Sequence, residues 1–291
     1  MKTTHLVPPP ASHRWFMSRL TLACRAVLKH PGRRPRAAVL VLAAAALVAG
    51  CGSSGGNFSA KSFAPVTAVV SFPSGQPGHG KPAVTLGSKN FTEALILGQL
   101  YAQALAAEGF TVHLKQNIGP TEVIDPGLLN HSIDMYPEYI GEIITTLTNI
   151  ALGAPGTAGS NVAPAPPDSW QQAYGLGNLQ FMPMTPGNPV YAAVDSGQIQ
   201  VAGVFTTDPQ LRSGKYVVLS DPKNIFGYQN VAPVVNKGML KALGPAFAQT
   251  LNAVSSHLTL AVMQQLNAEV VLGHQSPAAA ARQFLASQMS G

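Results

Sequence analysis

The sequence predicts an α/β protein, a mainly parallel sheet with helices packed on it, preceded by a basic, apolar leader. Three observations carry this. From residue 83 onwards, segments of strand period and of helix period alternate in the order β-α-β-α-β-α. Gly- and Pro-rich stretches at 52–81 and 151–169 mark two breakpoints. The positive charge is also confined to the leader. The chain has 18 Lys+Arg and 12 Asp+Glu, but 8 of the basic residues and no acidic ones lie in 1–50, leaving 10 against 12 afterwards. A mildly acidic folded part has no electrostatic footprint for a phosphate backbone, so nucleic-acid binding is excluded as a partner class.

The elements follow in order. Ala83-Val84-Thr85-Leu86 reads as a strand entering the loop Gly87-Ser88-Lys89-Asn90. A helix from Phe91 to Glu108 follows, with Asn90 as N-cap and Glu93 completing a capping box. Leu97, Leu100, Ala104 and Leu105 recur at helical spacing, and Gly109 stops the helix. Thr111–Lys115 alternates as a second strand. Gly119-Pro120-Thr121 opens a short helix, interrupted or shortened by Pro126. Ile133–Tyr136 is a third strand, and Pro137-Glu138-Tyr139 starts a helix towards Leu147. Beyond the second breakpoint come helices near Trp170–Tyr174 and Pro189–Asp195, then strands at Gln200–Phe205, Tyr216–Leu219 and Tyr228–Val235. Three helical segments close the chain, near Pro245–His257, Leu258–Val271 and Pro277–Met289. In a sheet of this kind ligands bind where strand C-termini meet helix N-termini, the position of the Gly87–Asn90 and Tyr136–Gly141 loops.

Residues 1–50 read as a signal peptide: a basic stretch ending at Arg36, then an apolar run Ala37–Ala49. That run is about 13 residues, short of the roughly 20 that a permanent bilayer span needs. It ends in Leu47-Val48-Ala49-Gly50-Cys51, which resembles a bacterial lipobox. Cleavage before Cys51 and its acylation would anchor the mature protein to the membrane, with 51–82 as a flexible linker. Met17 offers a second start, and Arg33-Arg34 raises a twin-arginine export route. The only other cysteine, Cys24, lies in the leader, so the mature chain has no internal disulfide.

Four motifs then occur together. Gly87-Ser88-Lys89-Asn90-Phe91-Thr92-Glu93, Asp134-Met135-Tyr136-Pro137-Glu138-Tyr139-Ile140-Gly141, Val204-Phe205-Thr206-Thr207-Asp208 and Tyr228-Gln229-Asn230-Val231-Ala232-Pro233 resemble, in order, those of the glycine betaine/carnitine/choline-binding proteins of ABC importers. The resemblance covers roughly 84–285. It implies a two-lobed type II periplasmic-binding-protein-like fold: 83–148 as the first part of lobe 1, 149–228 as lobe 2, and 229–291 as the return to lobe 1 with the C-terminal helices. It implies a small quaternary-ammonium solute as ligand, an ABC permease and its ATPase subunit as partners, and no cofactor. The chemistry is coherent, because a methylated nitrogen donates no conventional hydrogen bond. Aromatic faces stabilise it instead, by about 0.5–2 kcal/mol per ring. Carried over by residue, the resemblance makes Tyr139, Phe205 and Tyr228 cage rings. It makes Lys89 a contact for a ligand carboxylate, with Asn90 and Phe91 adding backbone donors. Tyr136 is expected to be structural, Asp208 to order a turn or cap a helix, and Tyr191 to lie on a helix face of the second lobe.

Two departures stand out. Where the family's second motif carries a hydroxyl after Tyr-Thr-Gly, this chain has Glu142. An acid there would help hold a cation such as choline and would repel a betaine carboxylate. The stretch between Gly141 and Tyr174 is also several dozen residues shorter than the family's, and Pro/Ala/Gly-rich. The second lobe is therefore expected to be shortened, and a degenerate or structural lipoprotein of the same ancestry is the alternative reading. An enzyme is not expected, since the chain shows no nucleophile elbow, phosphate loop or metal-ligand spacing among its histidines.

Overall fold

A computed structural model describes residues 24–29, 71–144 and 167–289, except 224, 227 and 228. Strands β1 to β7 are Cys24–Lys29, Val84–Gly87, Val112–Lys115, Met135–Tyr139, Ala202–Phe205, Tyr216–Val218 and Val231–Val235. Helices α1 to α8 are Thr92–Ala107, Thr121–Leu129, Pro167–Tyr174, Asn188–Ser196, Lys237–Leu243, Pro245–His257, Leu260–Val271 and Pro277–Met289, with a 3-10 turn at Pro209–Ser213.

The first sheet has the order β3-β2-β4-β7. The pairs β2–β3 and β2–β4 are parallel, as the alternating β-α pattern implies, and β7 joins the edge antiparallel to β4. Val231–Val235 therefore returns from the second sheet to the first, a crossover that α/β sequence order alone does not specify. Helix α1 fills the space over this sheet: Ile96, Leu97, Leu100, Ala104 and Leu105 are fully buried against Val84, Leu86, Phe247, Val254 and Met263. Burying each large apolar side chain contributes about 1.5–3 kcal/mol. The second core is smaller, with Val190, Tyr191, Val194, Ala202 and Val204 at its centre.

Three local expectations need correcting. The helix read from Pro137 is strand as far as Tyr139, and residues 140–144 are helical. Strand wins because Pro137 faces Pro233 across the ladder: neither can donate, so the two prolines share a position where no N–H is exchanged. Asn90 does not cap α1. Phe91 is the N-cap, with no side-chain cap bond, because the Glu93 carboxylate that a capping box needs is committed elsewhere. Helix α2 runs through Pro126, and α5 is an additional helix, capped by the Asn236 side chain accepting from the Gly238 and Met239 N–H groups.

The second sheet has the order β5-β1-β6, with β1 pairing antiparallel to both neighbours. Residues 24–29 belong to the expected leader, which the sequence reading places outside the folded lobes. In the structure they form the central strand, and β5 and β6 have no pairing with each other. Cleavage before Cys51 would remove this strand. Cys51 and the rest of the leader lie outside the described residues.

Candidate functional site

Loops from both sheets enclose a cavity of about 270 Å³. One wall is the start of α1 (Phe91, Thr92, Glu93) and the end of β4 (Tyr139). The facing wall is the loop before α4 (Pro186, Gly187, Asn188) and the loop after β5 (Phe205, Thr207, Asp208), continuing to Gln210. Asn267 and Val271 of α7 close one side. The geometry follows from strand alternation and chain direction. Val204 points into the second core, so Phe205, next along β5, is turned the other way at the strand's C-terminal end.

Phe91 and Tyr139 form a ring pair, with centroids 5.8 Å apart and planes at 33°. The Tyr139 hydroxyl donates to Glu93 Oε1 at 2.9 Å. Asn267 Nδ2 donates to Glu93 Oε2 at 2.8 Å and to the Thr207 carbonyl at 3.1 Å, so α7 ties the first wall to the second. Burial raises the Glu93 pKa above the ordinary carboxylate range, and bonds from Thr207, Asn267 and Tyr139 offset part of that rise. Burial together with the neighbouring Glu93 raises the Tyr139 pKa. Across the cavity, Asp208 accepts from the Tyr191 hydroxyl at 2.9 Å, and desolvation pushes its pKa up to about 6.

A second polar cluster lies behind the rings. Lys89 is fully buried and donates to Glu138 Oε1 and to Thr121 Oγ1, each at 2.7 Å. Glu138 also accepts from its neighbour's backbone N–H, that of Tyr139, at 2.8 Å, and from the Thr121 hydroxyl at 3.1 Å. The Lys89 ammonium is 5.4 Å from the Tyr139 ring centroid and 5.9 Å from that of Phe91. Glu142 is buried beside this cluster: desolvation raises its pKa, and Lys89 opposes the rise.

The family model for the substrate-binding domain of ABC-type glycine betaine transport systems matches residues 82–174 and 167–287. The chain belongs to this family. Within it, a glycine-betaine-binding protein of Pseudomonas aeruginosa is 38% identical over 96 residues, covering 33% of this chain and 30% of that protein. The glycine betaine-binding protein YehZ of Escherichia coli is 24% identical, covering 65% of this chain and 85% of that protein. The fold is the family's type II periplasmic-binding-protein fold. A glycine betaine/carnitine/choline ABC transporter structure superposes with a TM-score of 0.58 at 17% identity, covering 71% of this chain and 98% of that one. Lactococcal OpuAC in its closed form with glycine betaine superposes with a TM-score of 0.55 at 16% identity, covering 70% and 95%.

Of the residues that the family resemblance singles out, the structure brings Tyr139 and Phe205 to one cavity from opposite walls. Lys89 and Glu142 sit together in the buried cluster, and Asn90 is exposed; none of the three lines the cavity. Tyr228 lies outside the described residues. Tyr136 is buried and bonded to Asp125, a structural place. Asp208 stands at the N-cap of the 3-10 turn but makes no side-chain cap bond; its carboxylate lines the cavity instead. Sequence reasoning missed Asn267. The available signal was an amide four residues from both Met263 and Val271, on the same face of α7.

Proposed function

We propose that this protein captures a small quaternary-ammonium solute between its lobes and hands it to the permease of an ABC importer. The lipobox-like segment at Cys51 supports a tethered position outside the membrane. The observation that carries the reading is that rings from opposite walls, Phe91 and Tyr139 on one and Phe205 on the other, line a single cavity that also holds two carboxylates. Ring faces and carboxylates are what a methylated cation needs. One feature favours the alternative of a non-binding relative. Tyr139 is only 1% exposed, which leaves little ring surface for a solute until the lobes part.

Titration calorimetry of the full chain with choline, glycine betaine and carnitine tests this. At least one solute is expected to bind, and Phe205→Ala and Tyr139→Ala are each expected to weaken it about tenfold, the loss of one desolvated ring contact. Folded protein that binds none of them, or affinity unchanged in both variants, would overturn the reading.

A further inference from the structure

We propose that the cavity selects a solute that is both net-cationic and equipped with an O–H or N–H donor, and that it discriminates against zwitterionic betaines. This rests on the solute-binding reading above and specifies the solute's chemistry.

The side chains that line the cavity supply acceptors. Two are the carboxylates of Glu93 and Asp208. A third is Asn267 Oδ1. The orientation of this amide is fixed, because its Nδ2 faces a carboxylate and a backbone carbonyl, neither of which can donate. Asn267 is 5% exposed, and its Oδ1 is buried with no partner among the described residues. Gln210, on the facing wall, is half-buried, and its Oε1 likewise has no partner among the described residues. Buried acceptors are nearly always satisfied in native structures, so two at one cavity point to a donor that the ligand brings. Glycine betaine has none, whereas a hydroxylated or N–H-bearing ammonium does.

Charge points the same way. No Lys, Arg or His lines the cavity among the described residues, and Lys89 behind it spends its charge on Glu138. Within 71–289, the undescribed stretches 145–166, 224 and 227–228 contain no Lys, Arg or His in sequence; those of 30–70 (His30, Arg33, Arg34, Arg36 and Lys61) belong to the expected leader and linker. A ligand carboxylate would therefore depend on the N-terminal ends of α1 and α4, each about half a positive charge. Glu93, in the first turn of α1, already opposes one of these, and Asp208 faces the same space.

Three probes separate the parts of this inference: choline (cation with a hydroxyl), tetramethylammonium (cation without a donor) and glycine betaine (zwitterion without a donor). Titrated into the full chain at pH 7.5, choline is expected to bind tightest, with tetramethylammonium about tenfold weaker for want of one hydrogen bond and betaine weaker still. Glu93→Gln is expected to narrow the gap between choline and betaine; the wild-type ranking stands as the test if that variant does not fold. Betaine binding as tightly as choline would overturn the charge selection and leave the ring cage intact. Tetramethylammonium equal to choline would overturn the donor requirement. Failure of all three to bind would overturn this inference, and failure of carnitine as well would overturn the solute-capture reading with it.

Discussion

Replacing Lys89 with Met separates a structural role for this lysine from a ligand-binding one. Lys89 and Glu138 form a fully buried ion pair at 2.7 Å, with side-chain exposures of 0% and 1%. Removing the ammonium leaves Glu138 with two neutral donors, the Tyr139 N–H and the Thr121 hydroxyl. Breaking one partner of such a pair costs about 3–5 kcal/mol, because the remaining charge is desolvated without compensation. For a folded unit of this size each kcal/mol moves the midpoint by about 2–4 °C, so Lys89→Met is expected to lower Tm by roughly 6–20 °C. The double variant Lys89→Met/Glu138→Leu removes both charges at similar volume and is expected to regain most of the loss. Thermal and urea melts followed by circular dichroism read both. A single-variant loss under about 1 kcal/mol, or a double variant no better than the single, would refute the buried-pair account. Unchanged stability with weakened solute binding would return Lys89 to the carboxylate-contact role that the family resemblance implies.

Two further outcomes follow from the same geometry. Asp208 has a pKa raised to about 6 from an ordinary value of 3.8, so between those values the folded state holds more protons than the unfolded one. Folding stability is therefore expected to fall as pH rises through that window, while affinity for a cation rises, because the ionised carboxylate attracts it; choline titrations at pH 5 and 7.5 giving equal affinity would contradict this. Deleting residues 1–50 removes β1, so amide exchange is expected to accelerate at Ala202–Phe205 and Tyr216–Val218 while β2 to β4 keep their protection. Equal protection with and without the leader would show that another segment fills that place.

Local patterns in the sequence identified most elements, since each is governed by residues near in sequence. The apolar spacing of α1, the glycine at 109, and the prolines opening α6 and α8 suffice for those helices. Local reasoning failed at Pro137-Glu138-Tyr139, where a helix-start pattern yields to the antiparallel partner β7, nearly a hundred residues away. It failed again at Asn90 and Glu93, whose capping-box spacing is overridden by Tyr139 and Asn267.

Sequence alone determined the α/β class, the family, most of the element order and two of the cavity's rings, because periodicity and motifs are encoded within a few turns of chain. Only the tertiary structure decided which charges cancel and which face the cavity. Lys89 and Glu138 are 49 residues apart, and Glu93 and Asn267 are 174 apart. Whether a charged group meets an ion-pair partner or opens onto a cavity depends on which elements packing brings to its side, and no spacing along the chain records that.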